Sequence, residues 1–194
     1  MTALDMITCS RCPDLTAMVC GNSITYGNLY ASFSNDCNHC GELLDLCGLS
    51  LGGVLALNYT LDYPEKVKSL VLIAAQYKMP KLLLSLQNAI FRIMPEKAFG
   101  QMGFSKRDFI SLCKTMTELD FSEALCNISC PTLIICGEND TTNKNASEKM
   151  AKAIKNSKLV FISKAGHEIN VEAPEKLAEV LKDFYRTSAL IDGN

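Results

Sequence analysis

The sequence contains no tryptophan, only two histidines and little net charge. Its 19 basic and 21 acidic side chains leave a formal charge of −2. Electrostatics therefore gives no reason to expect nucleic acid or a membrane as a partner. A run of about 18 apolar residues, which a transmembrane helix needs, is also missing. The opening MTALDMITCSRC has no basic leader before an apolar core, so we expect no signal peptide and a cytoplasmic location.

The residue types that are present fit one globular domain. Hydrophobic residues make up 48% of the 194 residues and charged residues make up 21%, which argues against a disordered chain. A chain of this length can bury a full core without disulfides or metal. Because there are only two histidines, any histidine chemistry must use His39 or His167.

The ten cysteines include two C-x-x-C pairs, Cys9 with Cys12 and Cys37 with Cys40. Two such pairs can share one zinc ion in tetrahedral geometry. Pairs at this spacing are also expected by chance in a chain so rich in cysteine, and a cytoplasmic chain keeps its thiols reduced. We therefore predict scattered free thiols, no metal and no cofactor, with a zinc site as the minor alternative.

Apolar runs alternate with amphipathic stretches along most of the chain. Short apolar runs predict buried strands, and apolar residues three and four apart predict helices. Strands that alternate with helices predict an α/β fold, in which helices cover both faces of a mostly parallel sheet. The predicted strands are residues 43–49, 67–75, 132–137 and 159–163, and the predicted helices are 29–37, 51–63, 145–156 and 174–185.

Residues 77–127 interrupt this alternation. An apolar stripe from Leu82 to Ile93 predicts one helix, and Ser105 begins a second helix with Asp108 in the capping-box position. We expect these helices to form a cap over the carboxyl edge of the sheet, where ligands bind in such folds. The alternative is that they only cover the sheet. The predicted division is a core of residues 1–76 and 128–194 with a cap of residues 77–127.

The segment from Gly48 to Gly53, with the sequence GLSLGG, follows a predicted strand and opens a predicted helix. A serine held on a tight glycine-rich turn in this context is typical of a nucleophile elbow. The turn would lift the Ser50 hydroxyl above the sheet edge. The Leu51 amide, at the helix start, can then stabilise a developing oxyanion.

A serine hydroxyl needs a base, and the base needs a carboxylate that orients it. His167 lies in a loop directly after a predicted strand, whereas His39 precedes the strand that leads to Ser50, so we predict His167 as the base. Asp140 follows another strand at the same edge and is the predicted acid, with Glu138 as the alternative. Serine, aspartate and histidine then occur in the chain order typical of such sheet enzymes.

These segments resemble the α/β-hydrolase fold family. The resemblance rests on the stretches LDLCGLSLGGVLALNYTLDYPEKVKSLVLIAA, CPTLIICGEND and SKAGHEINVEAPEKLAEVLKDFY. It implies Ser50 as nucleophile, His167 as general base, Asp140 as the acid and a small helical cap over the pocket. It further implies a serine hydrolase that acts on a small carboxylic ester or a related acyl compound.

The sequence departs from the family before the nucleophile. Only 49 residues precede Ser50, and no His-Gly segment occurs that would supply the family's second oxyanion amide. We therefore expect an N-terminally shortened fold with weak activity, or alternatively a non-catalytic remnant or binding protein. Residues Thr2–Met6 would have to pair with the nucleophile strand, or that strand would become an exposed edge. The sequence leaves the substrate and the oligomeric state open.

Overall fold

A computed structural model describes residues 7–9, 25–39, 43–79, 95 and 105–191 of the chain. Strands and helices alternate through these residues. Two of the connections contain a short 3-10 helix, at Pro64–Lys66 and at Leu125–Asn127. The strands are β1 (Ile7–Cys9), β2 (Leu44–Leu49), β3 (Val67–Ile73), β4 (Thr132–Gly137) and β5 (Ser157–Ile162). The helices are α1 (Tyr26–His39), α2 (Leu51–Asp62), α3 (Lys106–Met116), α4 (Lys144–Ala153), α5 (Ile169–Glu172) and α6 (Pro174–Ile191).

The described strands form one sheet in the order β1-β2-β3-β4-β5. Strands β2 to β5 are parallel, which confirms the predicted α/β architecture. Because all four run in one direction, the loops that follow them meet at a single carboxyl edge.

Strand β1 differs from the expectation for the N-terminal segment. It comprises Ile7–Cys9 and runs antiparallel to β2, with Ile7 opposite Gly48. The expected pairing segment, Thr2–Met6, lies outside the described residues. An antiparallel partner still satisfies part of the outer edge of β2, because that edge needs hydrogen-bonding groups and not a particular strand direction.

Successive residues of the central strands point to opposite faces of the sheet, and each face has its own core. Leu70 and Leu72 of β3 pack on the face that α1 and α2 cover. Val71 and Ile73 pack on the other face, against the apolar side of α6. Because the side chains on both faces of these strands are buried, the sequence of the strands is continuously apolar.

Apart from the end of α6, the predicted element ends agree with the structure within three residues. Strand β4 has the predicted bounds, whereas β5 begins at Ser157, two residues early, because Thr132 and Ser157 are register partners. Helix α6 continues past the predicted end at residue 185 to Ile191. No proline or glycine interrupts the chain before Gly193, so the sequence holds no local signal that would stop the helix earlier.

The part of the chain expected to form a cap contains α3 among its described residues. Ser105 caps this helix as predicted, since its Oγ accepts a hydrogen bond from the Asp108 amide at 3.1 Å. The Thr115 Oγ1 accepts the Tyr26 amide at 2.9 Å and joins α3 to the start of α1. The first predicted cap helix, residues 82–93, lies outside the described residues.

The two ends of the 77–127 insertion lie side by side. The Phe121 amide donates to the Tyr77 carbonyl at 2.9 Å, and the Met79 amide donates to the Leu119 carbonyl at 3.1 Å. The Lys78 ammonium lies 2.6 Å from an Asp120 carboxylate oxygen. Residues 77–79 and 119–121 are therefore held together by backbone hydrogen bonds and one ion pair. Across the described ranges of the chain, no helix combines the length and apolarity that crossing a bilayer requires.

Candidate active site

Ser50 lies at the sharp turn between β2 and α2. Its φ of 53° is in the left-handed region, which a non-glycine residue adopts only at an energetic cost. Backbone hydrogen bonds hold it there, since the Ser50 amide donates to the Ile73 carbonyl at 2.8 Å and the Ser50 carbonyl accepts the Val54 amide at 3.2 Å. A Cβ added to Gly48 would lie 2.3 Å from the Gly52 carbonyl group, so the turn requires glycine there.

Asp140 lies in the loop after β4, and it is 5% exposed. Its Oδ1 accepts the Asn143 amide at 3.1 Å, and its Oδ2 accepts the Asn143 side-chain Nδ2 at 2.7 Å. The same Oδ2 lies 3.0 Å from the His167 Nδ1. Burial raises the pKa of the Asp140 carboxyl, but the hydrogen bonds from Asn143 and His167 outweigh burial and hold that pKa below its usual value. The carboxylate is therefore ionised at neutral pH.

His167 lies in the loop after β5 and bridges the other two side chains. Its Nδ1 faces Asp140, and its Nε2 lies 3.0 Å from the Ser50 Oγ. We assign the ring proton to Nδ1, because an ionised carboxylate can only accept a hydrogen bond. The Nε2 lone pair is then free to accept the Ser50 proton. The structure thus brings together the three side chains that were predicted as nucleophile, base and acid.

The alternative acid and base occupy other places. The Glu138 carboxylate is exposed and accepts the Lys164 amide at 3.4 Å, so it is directed at the chain segment before His167 and not at the ring. His39 is the last residue of α1 on the N-terminal side of β2, at the end of the strand remote from Ser50. Neither competes with Asp140 or His167 at the carboxyl edge.

The histidine loop is fixed by a carboxylate that sequence reasoning missed. Glu172, at the end of α5, accepts the Gly166 amide at 2.7 Å and the Glu168 amide at 3.2 Å. These amides flank His167 on both sides, so one carboxylate holds the backbone of the loop. The available signal was an acidic residue five positions after the histidine, within one helical turn of the loop.

The loops after β4 and β5 also touch each other. The Asn139 amide donates to the Ala165 carbonyl at 2.9 Å. A Cβ added to Gly137 would lie 2.1 Å from the Gly166 carbonyl oxygen, so the two backbones approach as closely as only glycine allows. The close approach at Gly137 therefore places the loop that carries Asp140 against the loop that carries His167.

Two amide side chains extend the site beyond the predicted residues. Asn143, 4% exposed, touches both Asp140 and His167, and its Oδ1 accepts the Gln76 Nε2 at 2.7 Å. Gln76 follows β3, so three neighbouring strands contribute to the network. Sequence reasoning did not single out either residue, because asparagine and glutamine are common in loops.

The predicted oxyanion donor, Leu51, is the first residue of α2. An amide in the first turn of a helix has no acceptor within that helix and points toward its N-terminal end, beside Ser50. On the outer side of β2, strand β1 is antiparallel, and its last residue, Cys9, lies opposite Leu46. In the described ranges, no parallel strand on this side sends a loop toward Ser50.

Metal ligation has no support in the described ranges, where no group of three or more histidine, cysteine, aspartate or glutamate side chains could hold an ion. Cys12 and Cys40 of the two C-x-x-C pairs lie outside those ranges.

Comparison with known proteins gives two family matches that together run from residue 37 to 174. Residues 37–125 match the family described as serine aminopeptidase, S33, and residues 103–174 match the family described as alpha/beta hydrolase fold. The first match contains Ser50, and the second contains both Asp140 and His167.

Individual relatives are distant. Monoacylglycerol lipase ABHD6 of Mus musculus is 26% identical over 160 residues, which cover 72% of this chain and 48% of the lipase. The putative 2-succinyl-6-hydroxy-2,4-cyclohexadiene-1-carboxylate synthase of Bacillus subtilis is 23% identical over 176 residues, covering 72% and 64%. The chain spans about half the length of the lipase relatives that it matches.

Among solved structures, an enol-lactonase from Burkholderia xenovorans superposes with a TM-score of 0.75 at 16% identity, over 87% of this chain and 75% of the lactonase. At that identity the likeness establishes the fold and leaves the chemistry to the site itself.

Proposed function

The chain belongs to the α/β-hydrolase fold family, and from this premise we propose that it is a serine hydrolase. The proposed substrate is a small carboxylic ester or a related acyl compound. The observation that carries the proposal is the continuous hydrogen-bond chain from the Ser50 Oγ through both ring nitrogens of His167 to Asp140. The cytoplasmic location expected from the sequence stays a prediction.

In the proposed reaction the Ser50 oxygen attacks the carbonyl carbon of the ester while its proton passes to the His167 Nε2. Asp140 stays ionised and stabilises the imidazolium through Nδ1. The Leu51 amide donates to the oxyanion of the tetrahedral intermediate. His167 then gives its proton to the leaving alcohol, and an acyl group remains on Ser50. A water molecule, deprotonated by His167, releases the acid and restores the serine.

The substrate class is supported by the chemistry of the relatives. Among the sequence relatives, a monoacylglycerol lipase and a 3-oxoadipate enol-lactonase are both named for ester bonds, one in an acylglycerol and the other within a ring. The family match to serine aminopeptidases keeps amide substrates within the same acyl-transfer mechanism.

The test is labelling with a fluorophosphonate probe, which forms a bond from the serine oxygen to phosphorus and releases fluoride. We expect the purified full chain to be labelled, and Ser50→Ala to be unlabelled at an unchanged melting temperature. Turnover of nitrophenyl esters should likewise disappear in this variant. A folded wild-type chain that neither takes up the probe nor cleaves esters would overturn the proposal.

A second candidate is a protein that keeps the fold for binding without turnover. The antiparallel β1 favours it, because the described residues then supply one oxyanion amide, Leu51, where two are usual in this fold. Loss of one donor from an oxyanion hole lowers the rate by about 10² to 10³. Ester turnover at that reduced level, dependent on Ser50, supports a weak hydrolase, whereas labelling without turnover supports the binding protein.

A further inference from the structure

We propose that Asn143 is a positioning residue of the acid–base pair, and that Gln76 fixes the orientation of its side-chain amide. The inference rests on the proposed function, because it concerns how Asp140 is held against His167. Among the described residues, Asn143 contacts Asp140 and His167 but not Ser50, and Gln76 acts through Asn143.

The orientation of both amides follows from one carbonyl group. The Thr142 carbonyl oxygen can only accept, and it lies 3.1 Å from one terminal atom of Gln76, which must therefore be Nε2. The same nitrogen donates to Asn143 at 2.7 Å, so the Asn143 atom that it meets is the oxygen. The Asn143 nitrogen is thereby turned toward Asp140.

Asn143 supplies a donor to each oxygen of the Asp140 carboxylate. Its backbone amide reaches Oδ1 at 3.1 Å, and its side-chain Nδ2 reaches Oδ2 at 2.7 Å. Two donors from one residue prevent the carboxylate plane from rotating. Oδ2 consequently stays directed at the His167 Nδ1, and the two nitrogens that share it lie 3.1 Å apart.

The position of Asn143 in the fold makes this arrangement informative. It is the residue that precedes α4, where an asparagine side chain ordinarily accepts a helix amide. Here the Asn143 side chain makes no capping hydrogen bond, and it is buried against Asp140 instead. The Asn143 side chain therefore contacts Asp140 in place of the first-turn amides of α4.

A neutral donor suits the role better than a charged one. A lysine or arginine at this place would also orient the carboxylate, but its charge would compete with the imidazolium for Asp140. An amide lowers the pKa of Asp140 through hydrogen bonding and leaves the negative charge to His167.

The test compares rates of fluorophosphonate labelling across pH for the wild-type full chain, Asn143→Ala, Asn143→Asp and Asn145→Asp. Asn145 is exposed on the same helix, so its variant adds the same charge away from the carboxylate. We expect Asn143→Ala to label roughly tenfold more slowly at neutral pH, the usual effect of losing a hydrogen bond to a charged group. Asn145→Asp should label like the wild type.

Asn143→Asp gives the readout that a purely structural role would not produce. A second carboxylate beside Nδ1 favours the protonated ring, so the acid limb of the pH–rate profile should move to higher pH. Asn143→Ala removes a donor without adding charge and should leave the limb nearer its original place. In Gln76→Glu the new carboxylate can only accept a hydrogen bond, so Asn143 should turn its nitrogen toward residue 76 and its oxygen toward Asp140. We expect this variant to label more slowly than the wild type. It tests the same role if the Asn143 variants do not fold.

Wild-type rates and an unmoved acid limb in Asn143→Asp and Gln76→Glu would overturn the inference while leaving the proposed hydrolase intact. A wild-type chain that takes up no probe would instead overturn the hydrolase, and the positioning role with it.

Discussion

On one side of Ser50, Asp140 and His167 lie on loops that several backbone hydrogen bonds join to each other and to the core. On the other side, the described chain offers a helix-start amide at Leu51 and a short antiparallel strand. The first side joins β3, β4 and β5 through Gln76, Asn143 and Glu172. The second depends on a single turn of α2 and the edge of β2.

In the proposed reaction, proton transfer and oxyanion stabilisation are therefore supported by different parts of the molecule. Proton transfer needs the acid, the base and their loops, which all follow Ser50 in the chain. Stabilisation of the oxyanion would use the Leu51 amide at the start of α2 and, in this fold, a second amide from the outer side of β2. A chain can therefore hold its acid–base pair in working geometry while its oxyanion site contributes less.

Asp140→Asn gives the largest expected effect and tests the acid–base side directly. The new amide can donate to Nδ1 and thereby moves the ring proton to Nε2, which can then no longer accept from Ser50. By analogy with serine proteases we expect labelling to slow by about 10⁴. The measurement is the second-order labelling rate at pH 7.

The matched control is Asp183→Asn. Asp183 is exposed on α6, and a carboxylate oxygen of it lies 3.9 Å from the Arg186 guanidinium. Its labelling rate should equal that of the wild type. An Asp140→Asn variant that labels within a few-fold of the wild type would show that Asp140 and His167 do not activate Ser50.

Gly48→Ala tests the elbow that both sides share. The new methyl group would lie 2.3 Å from the Gly52 backbone, so the turn must open. We expect a loss of about 3 kcal/mol in the free energy of unfolding, at the upper end for overpacking, together with slower labelling. Urea denaturation and probe uptake measure the two effects.

Gly27→Ala is the control for that substitution. Gly27 is exposed in α1, and nothing lies within 4 Å of its added Cβ. Alanine is a better helix former than glycine, so this variant should gain up to about 1 kcal/mol. Equal effects of the two substitutions would contradict a tightly packed elbow.

The sequence predicted the parts of the molecule that have a local cause. Strand β4 was predicted to the residue because its apolar run lies between Pro131–Thr132 and a final glycine. His167 was predicted because the chain has only two histidines and one of them follows a strand. The direction of β1 could not be predicted, because three residues pair wherever an unsatisfied edge is available.

The roles of the residues that support Asp140 and His167 could not be predicted from the sequence around each of them. Gln76 and Asn143 are 67 residues apart, and only the parallel order of β3 and β4 brings them together. Glu172 lies on a helix of four residues, too short to be read from periodicity. Long-range contacts of ordinary polar residues leave no pattern in a single sequence.

Glu172→Gln should have a smaller effect on the acid–base side. The glutamine keeps one acceptor oxygen, so either the Gly166 or the Glu168 amide loses its partner. We expect roughly tenfold slower labelling and faster hydrogen exchange at these two amides. Glu175→Gln, exposed on the first turn of α6, should change neither quantity. Unchanged exchange at both amides in Glu172→Gln would mean that the loop is held by other contacts.

The smallest expected effect is the dependence of stability on acid. Burial alone would raise the pKa of Asp140, but hydrogen bonds from Asn143 and His167 lower it on folding. The contribution is therefore fully present above the unfolded value of about 3.9, and it is lost as the pH falls through the lower folded value.

Urea denaturation between pH 6 and pH 2.5 measures this loss in the wild type and in Asp140→Asn. The exposed Asp120, whose pKa the Lys78 and Ser122 hydrogen bonds lower to about 2, titrates in both proteins and cancels from the difference. We expect the two free energies of unfolding to converge as the pH falls below about 4. Parallel curves over that range would mean that the folded chain stabilises the ionised Asp140 carboxylate no more than water does in the unfolded chain. In that case the ordered network on this side of Ser50 would orient the carboxylate without stabilising its charge.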